Sequence, residues 1–453
     1  MLKKVFLILF LSLGLISKAQ TWTPLDTGLQ SYIAYGLLGD DTNGNLYAFG
    51  NMFGCKGLNV WKNSHWEVWY KNMYWGTYGY EVGMLNNKVV FFNRYLENND
   101  NSKPRTAIVT FSDSTDLDTI KILQNQDWMI QGNQSYCLYN NKLILYSTSS
   151  FPSGINSIAT FDGDTIIPIG DPSIEGFTSA CVYNGELYAT GSNMSAQRGV
   201  FKKTLAGWQL IYQIKGALAY LQGMIVYNNR LFIFGGMSAQ IDPSNIGEAI
   251  IAYDGVNFDP VGGGVVNPFD VSDGKIYDAA ISRNRLYVTG NFLTAGGTKS
   301  RCIAYWNDTT WCSIYKDLDT TYNFFRVESF KDTIYEVADF REVAGDTTFG
   351  WIAKLYDQNY SDTCSAPYYV SVKEIQKSNN FKIYPNPTNG MVFIKEQENL
   401  LPDASIEIKN NLGQLVFSSP FSNQINLSSL SAGMYFLTIE DKSTKKTVKI
   451  VKQ

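Results

Sequence analysis

The chain has 453 residues, 45% of them hydrophobic, 14% aromatic and only 17% charged, and its formal net charge is −4. That balance excludes a nucleic-acid partner, which needs clustered Lys and Arg. A single histidine, His65, argues against zinc, copper and Ser-His-Asp chemistry, so no metal or other cofactor is expected.

The length suits two or three domains. Abundant Tyr, Phe, Trp, Thr and Asn without long helical periodicity predict an all-β protein. The first 22 residues read MLKKVFLILFLSLGLISKAQTW. Lys3 and Lys4 precede an apolar run from Val5 to Ile16, then a small-x-small pattern at Ser17-Lys18-Ala19. This is a signal peptide over residues 1–19, because the apolar run falls short of the roughly 20 residues a membrane span needs. No cysteine follows the cleavage point, which argues against a lipid anchor. Loss of the three leader lysines takes 37 basic residues to 34 against 41 acidic ones, a net charge of −7.

TWTPLDTGL, Thr21 to Leu29, reads as a strand without partners before it. Then a turn followed by an alternating strand recurs seven times: NGNLYAFG, NNKVVFFN, NNKLILYS, NGELYATG, NNRLFIFGG, RNRLYVTGN and KDTIYEVAD. Asn-Gly and Asn-Asn accept positive φ cheaply, so each pair predicts a tight hairpin turn. A strand precedes each turn, with Tyr139, Tyr183 and Tyr227 aligned. A third strand follows, then a fourth opened by Trp66, Trp208, Phe258 or Trp311. Four antiparallel strands per 40- to 55-residue repeat predict a seven-bladed β-propeller over residues 20–363. The N-terminal strand is expected to complete the last blade and so remove two exposed sheet edges.

Within the first repeat, HWEVWYKNMYWGTYGYEVG concentrates aromatics. Trp61 and Trp66 sit at repeat positions and belong to the core. Trp69, Tyr70, Tyr74, Trp75 and Tyr78 fall toward the connection to the second repeat, and flat aromatic faces stack on sugars or anchor protein contacts. They form the candidate binding patch. In the sixth repeat Cys302 and Cys312 flank a hairpin, RCIAYWNDTTWC, which makes them a candidate disulfide in an exported chain. After the seventh repeat DFREVAGD gathers Asp339, Arg341, Glu342 and Asp346, the one grouping that offers a carboxylate pair for glycoside chemistry.

Residues 364–380 read as a linker, and residues 381–453 as a small β-sandwich of about seven short strands separated by Gly and Asn turns. In IYPNPTNGMVFIK the two prolines each remove a backbone donor and hold the chain extended about Asn386.

Two family resemblances follow from these residues. GGMSAQ in the fifth repeat and GNFLTAGGTKSRCIAYWNDTTW in the sixth resemble kelch-like and galactose-oxidase-like propellers, over about residues 21–363. The single His contradicts copper-radical oxidation. The tail closely resembles the C-terminal sorting domain of type IX (Por) secretion in Bacteroidota. Tyr384, Pro385, Asn386, Pro387 and Gly390 match its opening motif, Gly413 in NLGQ the central turn, and Gly433 and Tyr435 the later Leu-x-x-Gly-x-Tyr element. This likeness implies recognition by the type IX secretion machinery, then cleavage in the linker, leaving the propeller on surface lipopolysaccharide or released. The expected function is an exported cell-surface or extracellular module that binds a glycan or protein. A polysaccharide-acting hydrolase or lyase, and a structural or adhesion component, are the alternatives.

Overall fold

The computed structural model describes residues 22–25, 33–52, 55–70, 81–96, 104–111, 119–124, 136–146, 158–216, 219–239, 247–269, 274–315, 324–338, 340, 350–356, 359–366, 381–396, 404–411, 413–440 and 445–453. All regular structure among them is β. The leader and residues 367–380 of the expected linker lie outside them. The chain divides into two compact units, Met1–Tyr369 and Val370–Gln453.

In the first unit, antiparallel sheets of one plan succeed one another along the chain. Sheet 1 runs Ile33–Asp40, Asn45–Met52, Cys55–Lys62, His65–Tyr70, and sheet 2 runs Glu81–Leu85, Lys88–Leu96, Pro104–Phe111, Thr119–Gln124. Sheet 3 comprises Leu138–Tyr139, Lys142–Tyr146, Ile158–Phe161 and Ile166–Pro168; sheet 4 comprises Ile174–Tyr183, Glu186–Asn193, Arg198–Thr204 and Gly207–Gln213. Sheet 5 is Tyr220–Tyr227, Arg230–Gly236, Ile250–Tyr253, Phe258–Pro260, and sheet 6 begins Lys275–Ser282, Arg285–Asn291, Ile303–Trp306, Trp311–Ser313. Sheet 7 takes Phe324–Phe330, Thr333–Ala338 and Ile352–Leu355, and its fourth strand is the N-terminal Trp22–Pro24, paired Trp22↔Leu355 and Pro24↔Ala353.

Sequence chemistry accounts for the repeated geometry. The first turn of sheets 2 to 7 has two central residues at positive φ, as at Asn140-Asn141, Asn228-Asn229 and Lys331-Asp332. Such turns match the twist of the strands they join. In sheets 1, 4, 5, 6 and 7 the first strand carries a β-bulge, as between Ile276 and Asp278. The bulge explains the glycine closing the second strand of several repeats. A Cβ on Gly191, Gly235 or Gly290 would lie 2.1, 2.3 or 2.0 Å from the carbonyl oxygen of Gly176, Tyr220 or Lys275 on the bulged strand.

Apolar cores lie between consecutive sheets. Leu85, Val90 and Phe161 join sheets 2 and 3, Phe177 and Tyr146 sheets 3 and 4, and Tyr188 and Ile233 sheets 4 and 5. Phe232 and Val288 join sheets 5 and 6, Tyr305 and Ile334 sheets 6 and 7, and Leu46 and Val337 sheets 7 and 1. Phe49 meets Phe91 edge-on at 5.9 Å between sheets 1 and 2.

The tryptophan of a fourth strand also latches one sheet to the one before it. Trp208 Nε1 donates to Ile169 O (2.9 Å), Trp311 Nε1 to Val261 O (2.9 Å), Trp22 Nε1 to Ile314 O (3.4 Å) and Trp66 Nε1 to Leu25 O (3.1 Å). The acceptor each time follows the preceding sheet's fourth strand. Pro24-Leu25, Pro168-Ile169 and Pro260-Val261 therefore do one job.

The cysteines differ from expectation. Cys312 is bonded to Cys364, and Cys302 is a thiol. In the Ile303–Trp306 hairpin Cys312 stands opposite Tyr305, which puts Cys302 out of register with it. The residue opposite Cys312 on its other side is Cys364, because Thr363–Cys364 adds a fifth strand to sheet 6.

The second unit is a sandwich of Phe381–Tyr384, Met391–Glu396 and Gln424–Asn426 against Leu415–Pro420, Ser405–Asn410, Gly433–Glu440 and Lys445–Lys452. Alternation sends Val392, Ile394 and Ile425 of one sheet against Ile406, Ile408, Leu437, Ile439 and Ile450 of the other.

Candidate functional site

In the tail Asn386, Gly433 and Tyr435 of the expected signal residues meet the final strand, Lys445–Lys452. The peptide bonds before Pro385 and Pro387 are cis. Between them, Asn386 Nδ2 donates to Lys449 O (2.7 Å) and its Oδ1 accepts from Val451 N (2.9 Å). Thr388 continues the contact, donating its N–H to Val451 O and accepting from Gln453 N, both at 2.9 Å. Its buried hydroxyl donates to Met391 O and accepts from Gly390 N, closing the turn. Gly390 leaves room for Ser428, whose Oγ would sit 2.4 Å from a Cβ there. Gly413 has φ +78 in the turn that Asn410 caps by accepting from Gln414 N (2.9 Å). Tyr435 is buried and donates to Ser431 O at 2.8 Å. Gly433 opens its strand opposite Lys452. Tyr384 is half exposed and stacks on Phe393, its cross-strand partner.

The aromatic patch is reached only in part. Trp69 and Tyr70 end the outer strand His65–Tyr70 of sheet 1, while Tyr74, Trp75 and Tyr78 lie outside the described residues, as do Asp339, Arg341, Glu342 and Asp346. Trp66 of the same run is core, 7% exposed and set edge-on to Trp61.

A feature that sequence reasoning missed lies where sheets 6, 7 and 1 meet. Asp278, at the bulge of sheet 6, accepts from Ala279 N (2.9 Å) and, across to sheet 7, from Val327 N (3.1 Å). Burial pushes its carboxyl up to about 7, with the Arg326 charge pulling the other way. Glu328 faces sheet 1 and accepts from Gly39 N; burial, then the Asp278 charge, raises it to about 8. Glu336 is fully buried, neither carboxyl oxygen has a hydrogen-bond partner among the described residues, and burial holds it well above the carboxylate range. Its signal was in the repeats. The same place in sheets 1, 4, 5 and 6 holds Ala48, Ala189, Ile233 and Val288. Among the described residues no three His, Cys, Asp or Glu side chains converge as a metal cage would.

Comparison with known proteins bears on the tail. Residues 382–453 match the family described as the secretion system C-terminal sorting domain. The match supports type IX sorting of the chain. A sorting domain implies contact with the type IX secretion machinery and delivery to the cell surface or the extracellular space. No curated protein matches the chain. Among solved structures it is similar to the computationally designed Ika8 protein, at 9% identity over 75% of this chain and 100% of that one, TM-score 0.40. It is also similar to the β-propeller domain of the Trilobed protease from Pyrococcus furiosus, at 13% identity over 49% and 67%, TM-score 0.34. The extracellular domain of the one-component system protein BT4673 from B. thetaiotaomicron is similar at 12% identity over 93% and 68%, TM-score 0.29.

Proposed function

We propose that the mature protein is a seven-bladed β-propeller that binds a glycan or a protein at the cell surface or outside the cell, carried there by its sorting domain. Each of sheets 1 to 7 is one blade. Closure of the ring is supported by the tryptophan latches, which run from sheet 6 to sheet 5, from sheet 7 to sheet 6 and from sheet 1 to the N-terminal strand of sheet 7.

The binding reading is carried by the aromatic run of the first repeat. Its core share is met by Trp61 and Trp66, which leaves Trp69, Tyr70, Tyr74, Trp75 and Tyr78 of the sequence run as the candidates for stacking on a ligand. After the sorting domain is removed, the propeller stays on surface lipopolysaccharide or is released.

A second reading, a hydrolase or lyase on polysaccharide, is favoured by Glu328. The residue is only partly buried, and burial raises its carboxyl to about 8, the direction a general acid needs.

A glycan array and a polysaccharide turnover screen on the full-length secreted chain separate the two. Binding without products supports the module, with Trp69→Ala and Trp75→Ala weakening it. Product release from any polysaccharide overturns the binder in favour of the enzyme.

A further inference from the structure

Glu336 stands in a column of the repeat that is apolar in neighbouring sheets, so its carboxyl is an anomaly to be explained. Its position between Ile334 and Ala338 on one strand face turns it toward sheet 6, since both neighbours pack with Tyr287, Ile303 and Tyr305. On sheet 6, Asp278 and Thr289 are direct cross-strand partners and so share a face. It is the face of Ala280 and Tyr287, which meets sheet 7. Three polar side chains thus point into one apolar interface from both sides.

Asp278 is held by the backbone of Ala279 and Val327, but the other two are not satisfied there by the protein. Thr289 is fully buried and its hydroxyl has no partner among the described residues, like both oxygens of Glu336. Sheet 4 shows what that hydroxyl does when provided for. Thr190, in the corresponding place, shares a 2.9 Å hydrogen bond with Thr178, which also donates to Leu221 O of sheet 5. A buried carboxylate with neither partner nor counter-ion costs several kcal/mol.

We propose that the interface between sheets 6 and 7 holds one small monovalent cation, ligated by the carboxyl oxygens of Glu336, the Thr289 hydroxyl and the Asp278 carboxylate. The donor set is oxygen only, which suits a hard ion and not a transition metal. The positive charge of Arg326 acts on Asp278, so the ion displaces the proton of Glu336 and has a single carboxylate charge to balance, which a monovalent ion does. The charge of Glu336 also reaches Cys302 of sheet 6, whose thiol is pushed up to about 11, chiefly by burial. Occupancy locks the sixth sheet to the seventh across their inner strands.

The test is thermal unfolding of the full chain in NaCl, KCl and choline chloride at equal ionic strength with chelator present. The melting temperature is a few degrees higher in sodium or potassium than in choline, and the difference disappears in Glu336→Gln and, independently, in Thr289→Val. Equal melting in all three salts overturns the site and leaves Glu336 holding a proton. Retention of the difference in either variant overturns it as well. Stabilisation by calcium in choline, with none by sodium or potassium, overturns the monovalent assignment.

Discussion

Asn386 grips the last strand of the sorting domain with both ends of its amide, donating to Lys449 O at 2.7 Å and accepting from Val451 N at 2.9 Å. The side chain thereby supplies the donor that the flanking prolines lack. Asn386→Ala removes both bonds and destabilises the sandwich by about 1–2 kcal/mol. Asn386→Asp keeps the acceptor but sets a carboxylate oxygen against a carbonyl, and is at least as damaging. Chemical denaturation of the full chain, followed by a probe in the tail, checks both.

Deletion of residues 381–453 abolishes delivery to the surface, and the truncated chain accumulates in the periplasm. Fractionation with protease accessibility on whole cells measures this. Undiminished surface exposure of the truncated protein refutes the sorting role.

Gly290→Ala forces a methyl group to 2.0 Å from Lys275 O and 2.8 Å from Ile276 Cα, both rigid backbone atoms. The first unit loses about 3 kcal/mol, or the bulge is rebuilt. Gly185→Ala is the control. It sits at φ +76 with open space around it, so only the backbone penalty of about 1–2 kcal/mol remains. Paired urea melts distinguish the two mechanisms.

Peptide mapping without reductant yields Cys312 joined to Cys364, with Cys302 recovered as a thiol. The crosslink spans a separation of 52 residues, and chain-entropy arguments give it about 4 kcal/mol of stabilisation. Cys364→Ser therefore lowers the stability of the first unit by about that amount, whereas Cys302→Ser changes it far less.

Glu328 makes stability depend on pH with a defined sign. Its carboxyl is raised to about 8 in the folded chain from an ordinary 4.5, so the folded state holds the proton and the unfolded state has lost it between those values. Its contribution is complete below pH 4.5 and is lost as pH rises to about 8. The urea midpoint falls over that window, and Glu328→Gln flattens the fall.

The sequence carried most of the scaffold. Hairpin turns were legible at Asn140-Asn141 and Asn228-Asn229 because that chemistry tolerates positive φ, and the fourth strands because Trp66, Trp208 and Trp311 lead them. The N-terminal strand announced itself by having no partner nearby. The disulfide was misjudged because strand register decides it: a bridge across the nearest hairpin looked available, yet Tyr305, not Cys302, faces Cys312. The buried acids were missed for a related reason. Asp278 and Glu336 are 58 positions apart in the sequence and meet only where two sheets pack, though Glu336 broke an apolar column that the aligned repeats already displayed.

The strand Thr363–Cys364 returns the chain from the seventh sheet to the sixth before it leaves for the sorting domain. A pull on the chain beyond Cys364 would therefore reach the Cys312–Cys364 crosslink and the edge of sheet 6 first. The three-residue pairing of Trp22–Pro24 with Ile352–Leu355, on which sheet 7 depends for its fourth strand, would not take that pull first. The chain is tied one sheet back from the pairing that completes sheet 7.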